Sequence, residues 1–239
     1  MTILSGLAVL VTRPLPAGAL LCDVINSAGG QAIYLPTIDI QPPSDTASFL
    51  EQLKNIEKQD WWIFISPQAV YACIDKLQKS VGTQIAAIGE GTAKALQAAG
   101  WSVSVIPTEE WNSEGLLKTT AFQDIVDKKI ALFRGEGGRE LLADALSARG
   151  AKITHFIGYR RGLPSIDMGS YLELLQLHKI DIIVCTSGTG MDHLKKLFQT
   201  AWLLLQEIPI VVISERMVFL AKELGFQKIL LAKNASHSA

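Results

Sequence analysis

The sequence predicts an α/β fold of two similar domains, each with a parallel sheet flanked by helices. Three observations carry this expectation. The chain matches itself when slid by 121 residues, the separation of Asp60 from Asp181, and a repeat of that size implies two similar structural halves. Its strand-like runs are short and continuously apolar or β-branched, as in parallel strands buried on both faces. Helix-length segments ending in glycine alternate with those runs.

Residues 7–12, followed by Arg13, read as the first strand and align with residues 128–133, followed by Arg134. Leu20 and Leu21 fall on Leu141 and Leu142, and Gly29 falls on Gly150. Each copy therefore has a helix that stops at a glycine suited to the left-handed C′ position. A strand follows, then a polar, proline-containing segment hostile to helix, residues 36–45 in one copy and 158–167 in the other. Domain crossings are expected there. Residues 60–66 fall on 181–187, in each case an acid, five mostly apolar residues and a serine. After a shift of four residues, 84–89 matches 209–214, and Gly100-Trp101 matches Gly225-Phe226. Each copy thus reads strand, helix, strand, linker, helix, strand, helix, strand, helix, strand. Residues 234–239 are small and polar, and are expected to fray.

Composition narrows the function. With 239 residues, 49% apolar and 19% charged, the chain can bury one large core or two smaller ones. A net charge of -1, from 22 basic and 23 acidic side chains, lacks the field that non-specific nucleic-acid binders use, so an anionic ligand must be held locally. Cys22, Cys73 and Cys185 form no CxxC and read as buried, reduced thiols. Residues 1–11 lack a basic start and a small-residue cleavage site, and no apolar run reaches the roughly 18 residues of a membrane span. A cytoplasmic protein with no nucleic-acid or membrane partner is expected.

In a parallel sheet, ligands bind at the carboxyl ends of strands, where helix N-termini present free N–H groups. Here those ends carry Thr12-Arg13-Pro14, Ser66-Pro67, Gly89-Glu90-Gly91-Thr92, the loop from Arg134 to Arg139, Thr186-Ser187-Gly188 and Ser214-Glu215-Arg216. Such a set suits a ligand with several carboxylates or phosphates. The Gly89 turn resembles a dinucleotide fingerprint but has Lys94 where a third small residue belongs, and a plain strand-to-helix turn capped by Thr92 is the stronger reading. The Arg134 loop lacks the Gly-Lys-Ser/Thr ending of a P-loop; two arginines flanking three glycines point to an anion site instead. Ser66, Ser187 and Ser214 read equally as helix caps or as ligand contacts, and none sits in a Gly-x-Ser-x-Gly elbow. His155, His178, His193 and His237 show no metal-ligand spacing, so no metal is expected. Tyr159 follows a strand beside Arg160 and Arg161, as an interface filler or as a catalyst.

Taken in order, Val9 to Pro14, Gly29, Pro36, Ile63 to Val70, Ala87 to Ala93, the Arg134-Gly-Glu-Gly-Gly-Arg139-Glu stretch, Tyr159-Arg160, Cys185 to Ser187 and Val212 to Arg216 resemble the uroporphyrinogen-III synthase family, particularly its proteobacterial members. The resemblance spans nearly the whole chain. It implies two α/β domains joined by a two-stranded linker, residues 1–36 with 164–239 and residues 37–163, and a ligand cleft between them. It also implies a cofactor-free lyase of haem biosynthesis that removes water from hydroxymethylbilane and cyclises it with inversion of ring D, through an azafulvenium ion and a spiro intermediate. Tyr159 matches the family's tyrosine thought to assist departure of the hydroxyl. Ser66, Thr92, Ser187 and Ser214, with Gly89, Gly135, Gly137 and Thr186, form the expected substrate-binding set, and Arg13, Arg134 and Arg139 are weaker members. A monomer is expected, with room for transient contact with hydroxymethylbilane synthase. Two other readings compete: a two-domain anionic-ligand-binding protein and a nucleotide-sugar glycosyltransferase.

Overall fold

A computed structural model describes residues 3–56, 58–78, 82–138 and 140–232. In chain order they form β1 (Ala8–Val11), α1 (Ala17–Ser27), β2 (Gln31–Tyr34), β3 (Asp39–Gln41), α2 (Thr46–Lys54), β4 (Trp61–Phe64), α3 (Pro67–Cys73), β5 (Gln84–Ala87), α4 (Glu90–Ala98) and α5 (Ser113–Lys118). The second copy supplies β6 (Lys129–Gly135), α6 (Leu141–Ala148), β7 (Lys152–Gly162), α7 (Gly169–Gln176), β8 (Ile182–Val184), α8 (Gly188–Leu197), α9 (Trp202–Leu205), β9 (Ile210–Val212), α10 (Glu215–Glu223) and β10 (Ile229–Leu231). Gly29 and Gly150 close α1 and α6 with φ of 85° and 87°, a region that only glycine enters without strain.

The chain divides into two compact units, Met1–Asp39 with Gly162–Ala239, and Ile40–Arg161. The bounds implied by the resemblance were 36/37 and 163/164; by contact they fall at 39/40 and 161/162, still within the proline-containing segments 36–45 and 158–167. The reason is that the supposed linkers are partly strand. β7 runs on through Gly162, and β3 lies beside it at the edge of the second sheet.

The first unit's sheet has the order β10-β9-β8-β1-β2 and is parallel throughout. The second has β3-β7-β6-β4-β5, with β7, β6, β4 and β5 all parallel. With its edge strand β3 set aside, the second sheet follows the first: β7-β6-β4-β5 answers to β2-β1-β8-β9, the doubly wound order. The 121-residue offset carries β1 to β6, β2 to β7 and β4 to β8, so each unit takes its first βαβ from one copy and its remaining strands from the other. One expected strand is missing. Residues 102–106 supply only a bridge from Val105 to Ala86, because Ser104 Oγ takes the Ile85 N–H at 3.3 Å and Pro107 has no N–H to extend the ladder.

The exchanged pieces are fastened in the same way in both units. Asp60 Oδ2 accepts the Lys129 N–H at 2.9 Å at the start of β6, and Asp181 Oδ2 accepts the Ala8 N–H at 2.7 Å at the start of β1. The aspartate that opens the sharpest repeat match thus satisfies a strand-end donor.

Strand alternation divides each core. In the second unit Trp62, Phe64, Phe133 and Phe156 pack on one face of the sheet, and Ile63, Ile130 and Leu132 on the other with Leu142 and Leu146. In the first, Leu10, Ile183, Ile210 and Val212 face one layer, while Val9 and Val11 meet Ile25 of α1 on the other. Cys73 and Cys185 are buried free thiols; Cys22, expected to be buried, is only partly so. Residues 234–239 lie outside the described residues.

Candidate functional site

A doubly wound sheet opens a crevice at the carboxyl ends of the strands where the order reverses. In the second unit those strands are β4, which ends at Phe64 and leads through Ile65 to Ser66, and β6, which ends at Gly135. Ser66 is the N-cap of α3, with extended backbone and Pro67 at the first helical position, and its Oγ accepts the Ala69 N–H at 3.1 Å. The same oxygen lies 3.0 Å from Tyr159 Oη, and Arg161 Nη2 donates to Oη at 3.0 Å.

Tyr159 does not follow its strand as expected but lies inside β7, and it is buried. The register between β6 and β7 slips at Arg134/Gly135, so that Gly135 pairs with Tyr159. A Cβ on Gly135 would come 2.6 Å from Tyr159 Cζ. The phenol ring therefore occupies the space that this glycine leaves empty.

The loop after β6 is shaped from within. The Arg134 side chain is 4% exposed; Nη1 donates to Glu140 Oε2 at 2.7 Å and Nη2 to the Gly137 carbonyl at 2.8 Å. Its hydrogen bond holds the Glu140 carboxyl below the usual range. Arg134 thus builds the loop, with Gly137 and Gly138 at φ of 66° and 95°. Glu136 accepts from the Ser44 backbone and from Ser44 Oγ. Arg139 lies outside the described residues.

Gly89 caps α4 without a side-chain bond, and Thr92, expected to be the cap, is the third helical residue and buried. A Cβ on Gly89 would sit 3.0 Å from Trp111 Cβ, and the Trp111 indole is 62% exposed beside this strand end.

In the first unit Ser187 Oγ caps α8 through Gly190 N at 3.0 Å, and Ser214 Oγ caps α10 through Met217 N at 3.4 Å. Thr186 precedes Ser187 and is half-buried. Partial burial pushes the Arg13 guanidinium below the ordinary arginine value. Behind these residues Thr12 Oγ1 donates to the Val184 carbonyl at 2.9 Å, Thr37 Oγ1 to the Thr12 carbonyl at 3.2 Å, and His193 Nδ1 to the Thr37 carbonyl at 2.7 Å.

Of the residues singled out from sequence, the structure joins Ser66, Gly135 and Tyr159 in one cluster, and Arg134 with Gly137 in another. Sequence reasoning missed the roles of Arg161, Glu140, Trp111 and His193. The signal for Arg161 was available, since residues two apart on a strand share a face. Among the described residues no group of three His, Cys, Asp or Glu is placed to hold a metal ion, and no helix is long and apolar enough to cross a membrane.

The family model for uroporphyrinogen-III synthase HemD matches residues 21–239. The chain belongs to the uroporphyrinogen-III synthase family. It is 32% identical over 242 residues to the uroporphyrinogen-III synthase of Escherichia coli K12, with 98% of each chain covered. It is 31% identical, again over 98% of each, to that of Salmonella typhimurium LT2. Among solved structures, its fold is similar to a uroporphyrinogen III synthase of Thermus thermophilus, with a TM-score of 0.62 at 15% identity over 98% of this chain and 95% of that one. The Helicobacter pylori 26695 synthetase gives a TM-score of 0.60 at 17% identity over 96% and 93%. This synthase family's fold is thus kept at low identity.

Proposed function

We propose that the protein is a uroporphyrinogen-III synthase, a lyase that removes water from hydroxymethylbilane and closes the macrocycle with inversion of ring D. The observation that best supports this reading, beside family membership, is a buried phenol at a sheet switch point, hydrogen-bonded to two side chains among strand ends rich in hydroxyls and glycine.

Tyr159 acts as general acid. Its proton passes to the hydroxyl of the terminal hydroxymethyl group; the carbon–oxygen bond breaks, its electron pair leaves with water, and the pyrrole nitrogen lone pair fills the vacated position to give the azafulvenium ion. The substituted carbon of ring D attacks, and the spiro intermediate fragments and re-closes. The proton lost when the last pyrrole regains aromaticity restores the phenol. Closure without inversion is the solution course, so the protein contributes chiefly by folding the substrate toward one transition state.

The carboxylates are held locally, in keeping with a net charge of -1. Ser187 and Ser214 accept helix amides and each retains a hydroxyl hydrogen to donate to a carboxylate, whereas Ser66, which caps α3 in the same way, has its hydroxyl against Tyr159. The amides of Gly89, Gly135 and Gly137, with Thr92, Thr186 and Arg13, complete the set, and Arg134 serves through the loop it shapes. All these groups lie on one chain, so the reading needs only a monomer.

The test is to supply freshly generated hydroxymethylbilane, oxidise the products and separate the uroporphyrin isomers against a protein-free control. Predominantly type III product is expected. Only type I, formed at the uncatalysed rate by folded protein, overturns the reading.

A further inference from the structure

We infer that Arg161 is a positioning residue for Tyr159: it fixes which way the phenolic proton can leave and offsets the charge left behind. This rests on the reading of Tyr159 as general acid and goes beyond it.

The geometry is a three-member chain. Arg161 Nη2 donates to Tyr159 Oη at 3.0 Å, and Ser66 Oγ lies 3.0 Å from the same oxygen. A phenolic oxygen has one hydrogen and two acceptor sites, whereas a guanidinium only donates. Arg161 therefore always fills one acceptor site and never receives the proton. Ser66 Oγ already accepts the Ala69 N–H, leaving it one hydrogen and one acceptor site. Two arrangements remain. If Tyr159 donates to Ser66, the proton is held inside the protein. If Ser66 donates to Tyr159, both acceptor sites of Oη are filled and the phenolic hydrogen is free for a substrate oxygen. Proton transfer starts from the second arrangement; Arg161 donates in both, and its contribution comes as the phenolate forms, when its bond and its positive charge stand beside the developing negative oxygen.

The strand sets this up. Residues 159 and 161 share a face of β7, and Arg161 Cζ lies 5.4 Å from the Tyr159 ring centroid, so the guanidinium is held against the ring as well as at its hydroxyl. Arg161 is itself exposed while the phenol is buried, so its donor reaches in from the solvent side. Arg160, its neighbour, projects to the other face and lacks this contact.

The experiment compares wild type, Arg161→Ala, Arg161→Lys, Tyr159→Phe and the double variant Arg161→Ala/Tyr159→Phe. It measures kcat and KM for hydroxymethylbilane, with melting temperature as the fold control. Arg161→Ala is expected to lower kcat about tenfold with KM within about twofold, and Arg161→Lys to recover part of that loss. In the Tyr159→Phe background, removal of Arg161 is expected to cost nothing more, because its partner is gone. A raised KM at unchanged kcat would mean that Arg161 grips a substrate carboxylate, and would overturn the inference. So would a tenfold loss that persists in the Tyr159→Phe background while Tyr159→Phe itself is slow. Wild-type turnover in Tyr159→Phe overturns the general-acid reading and this inference together.

Discussion

The two units share a strand order, an aspartate at equivalent strand starts and a serine at equivalent helix starts, yet their switch points are finished differently. In the first unit the polar groups behind the crevice face backbone carbonyls: Thr12 reaches Val184, Thr37 reaches Thr12, and His193 reaches Thr37. Each donor is spent on an acceptor that cannot move without moving the backbone. In the second unit the corresponding space holds Tyr159, whose hydroxyl meets two side chains, Ser66 and Arg161. Those partners can re-aim without disturbing the sheet. The same frame is sealed on one side and chemically poised on the other, because a duplicated architecture constrains topology and leaves the last side chains free to diverge.

Each unit also lays a tyrosine ring over a glycine, and the pair gives the largest expected contrast. Tyr34 leans on Gly18, where a Cβ would come 2.5 Å from its Cε2, and its buried hydroxyl has no hydrogen-bond partner among the described residues. Tyr159→Phe is expected to lower kcat about a hundredfold with little change in melting temperature. Tyr34→Phe should leave turnover alone and be neutral or stabilising by up to about 1 kcal/mol, since it removes an unpaired buried hydroxyl. Steady-state kinetics and thermal melts of both variants check this; equal losses of activity would end the distinction between the units.

The glycines sharpen the same contrast at smaller amplitude. Alanine at Gly135 meets the Tyr159 ring at 2.6 Å, and a ring can turn aside. Gly135→Ala should therefore stay folded but lose about tenfold in kcat as the phenol leaves Ser66. Alanine at Gly18 collides with the Arg13 carbonyl oxygen, and backbone cannot turn aside. Gly18→Ala should cost about 1–3 kcal/mol of stability, measured by denaturant unfolding, with less effect on turnover per folded molecule.

How much of this was legible in the sequence follows from what kind of signal each feature leaves. The α/β class and the order of elements were legible because parallel strands must be continuously apolar and helices must stop, and Gly29, Gly100, Gly150 and Gly225 all stop them at positive φ. The exchange of halves was foreshadowed by the 121-residue offset, but periodicity does not say which copies pair. The site was legible in its members and not in its contacts. Ser66, Gly135 and Tyr159 were each singled out, yet a phenol resting on a glycine depends on a register slip at Arg134/Gly135, which leaves no mark in local pattern. Arg134 shows the converse: its flanking glycines read as an anion site, whereas its guanidinium is spent on Glu140 and Gly137, an ion pair six residues apart that loop geometry alone decides. Thr92 failed as a cap because the helix begins one turn earlier, at a glycine that Trp111 crowds.

The smallest expected effect concerns the aspartates that fasten the exchanged pieces. Asp60 accepts from the Lys129 amide and lies 3.5 Å from Lys128, both of which hold its carboxyl below the ordinary range, the amide more strongly, against an opposing contribution from burial. Asp181 makes the equivalent amide bond to Ala8. If the backbone bond is what matters, Asp60→Ala and Asp181→Ala should each cost about 1 kcal/mol, and alike, since an exposed lysine adds little. A group whose folded pKa is depressed contributes its stability above its unfolded pKa and loses it as pH falls through the folded value. The unfolding free energies of wild type and Asp60→Ala should therefore differ by a constant amount near neutrality and converge below about pH 4. Convergence on adding salt at neutral pH, for Asp60 and not for Asp181, would instead assign the contribution to Lys128, and the two units would then be fastened by different physics.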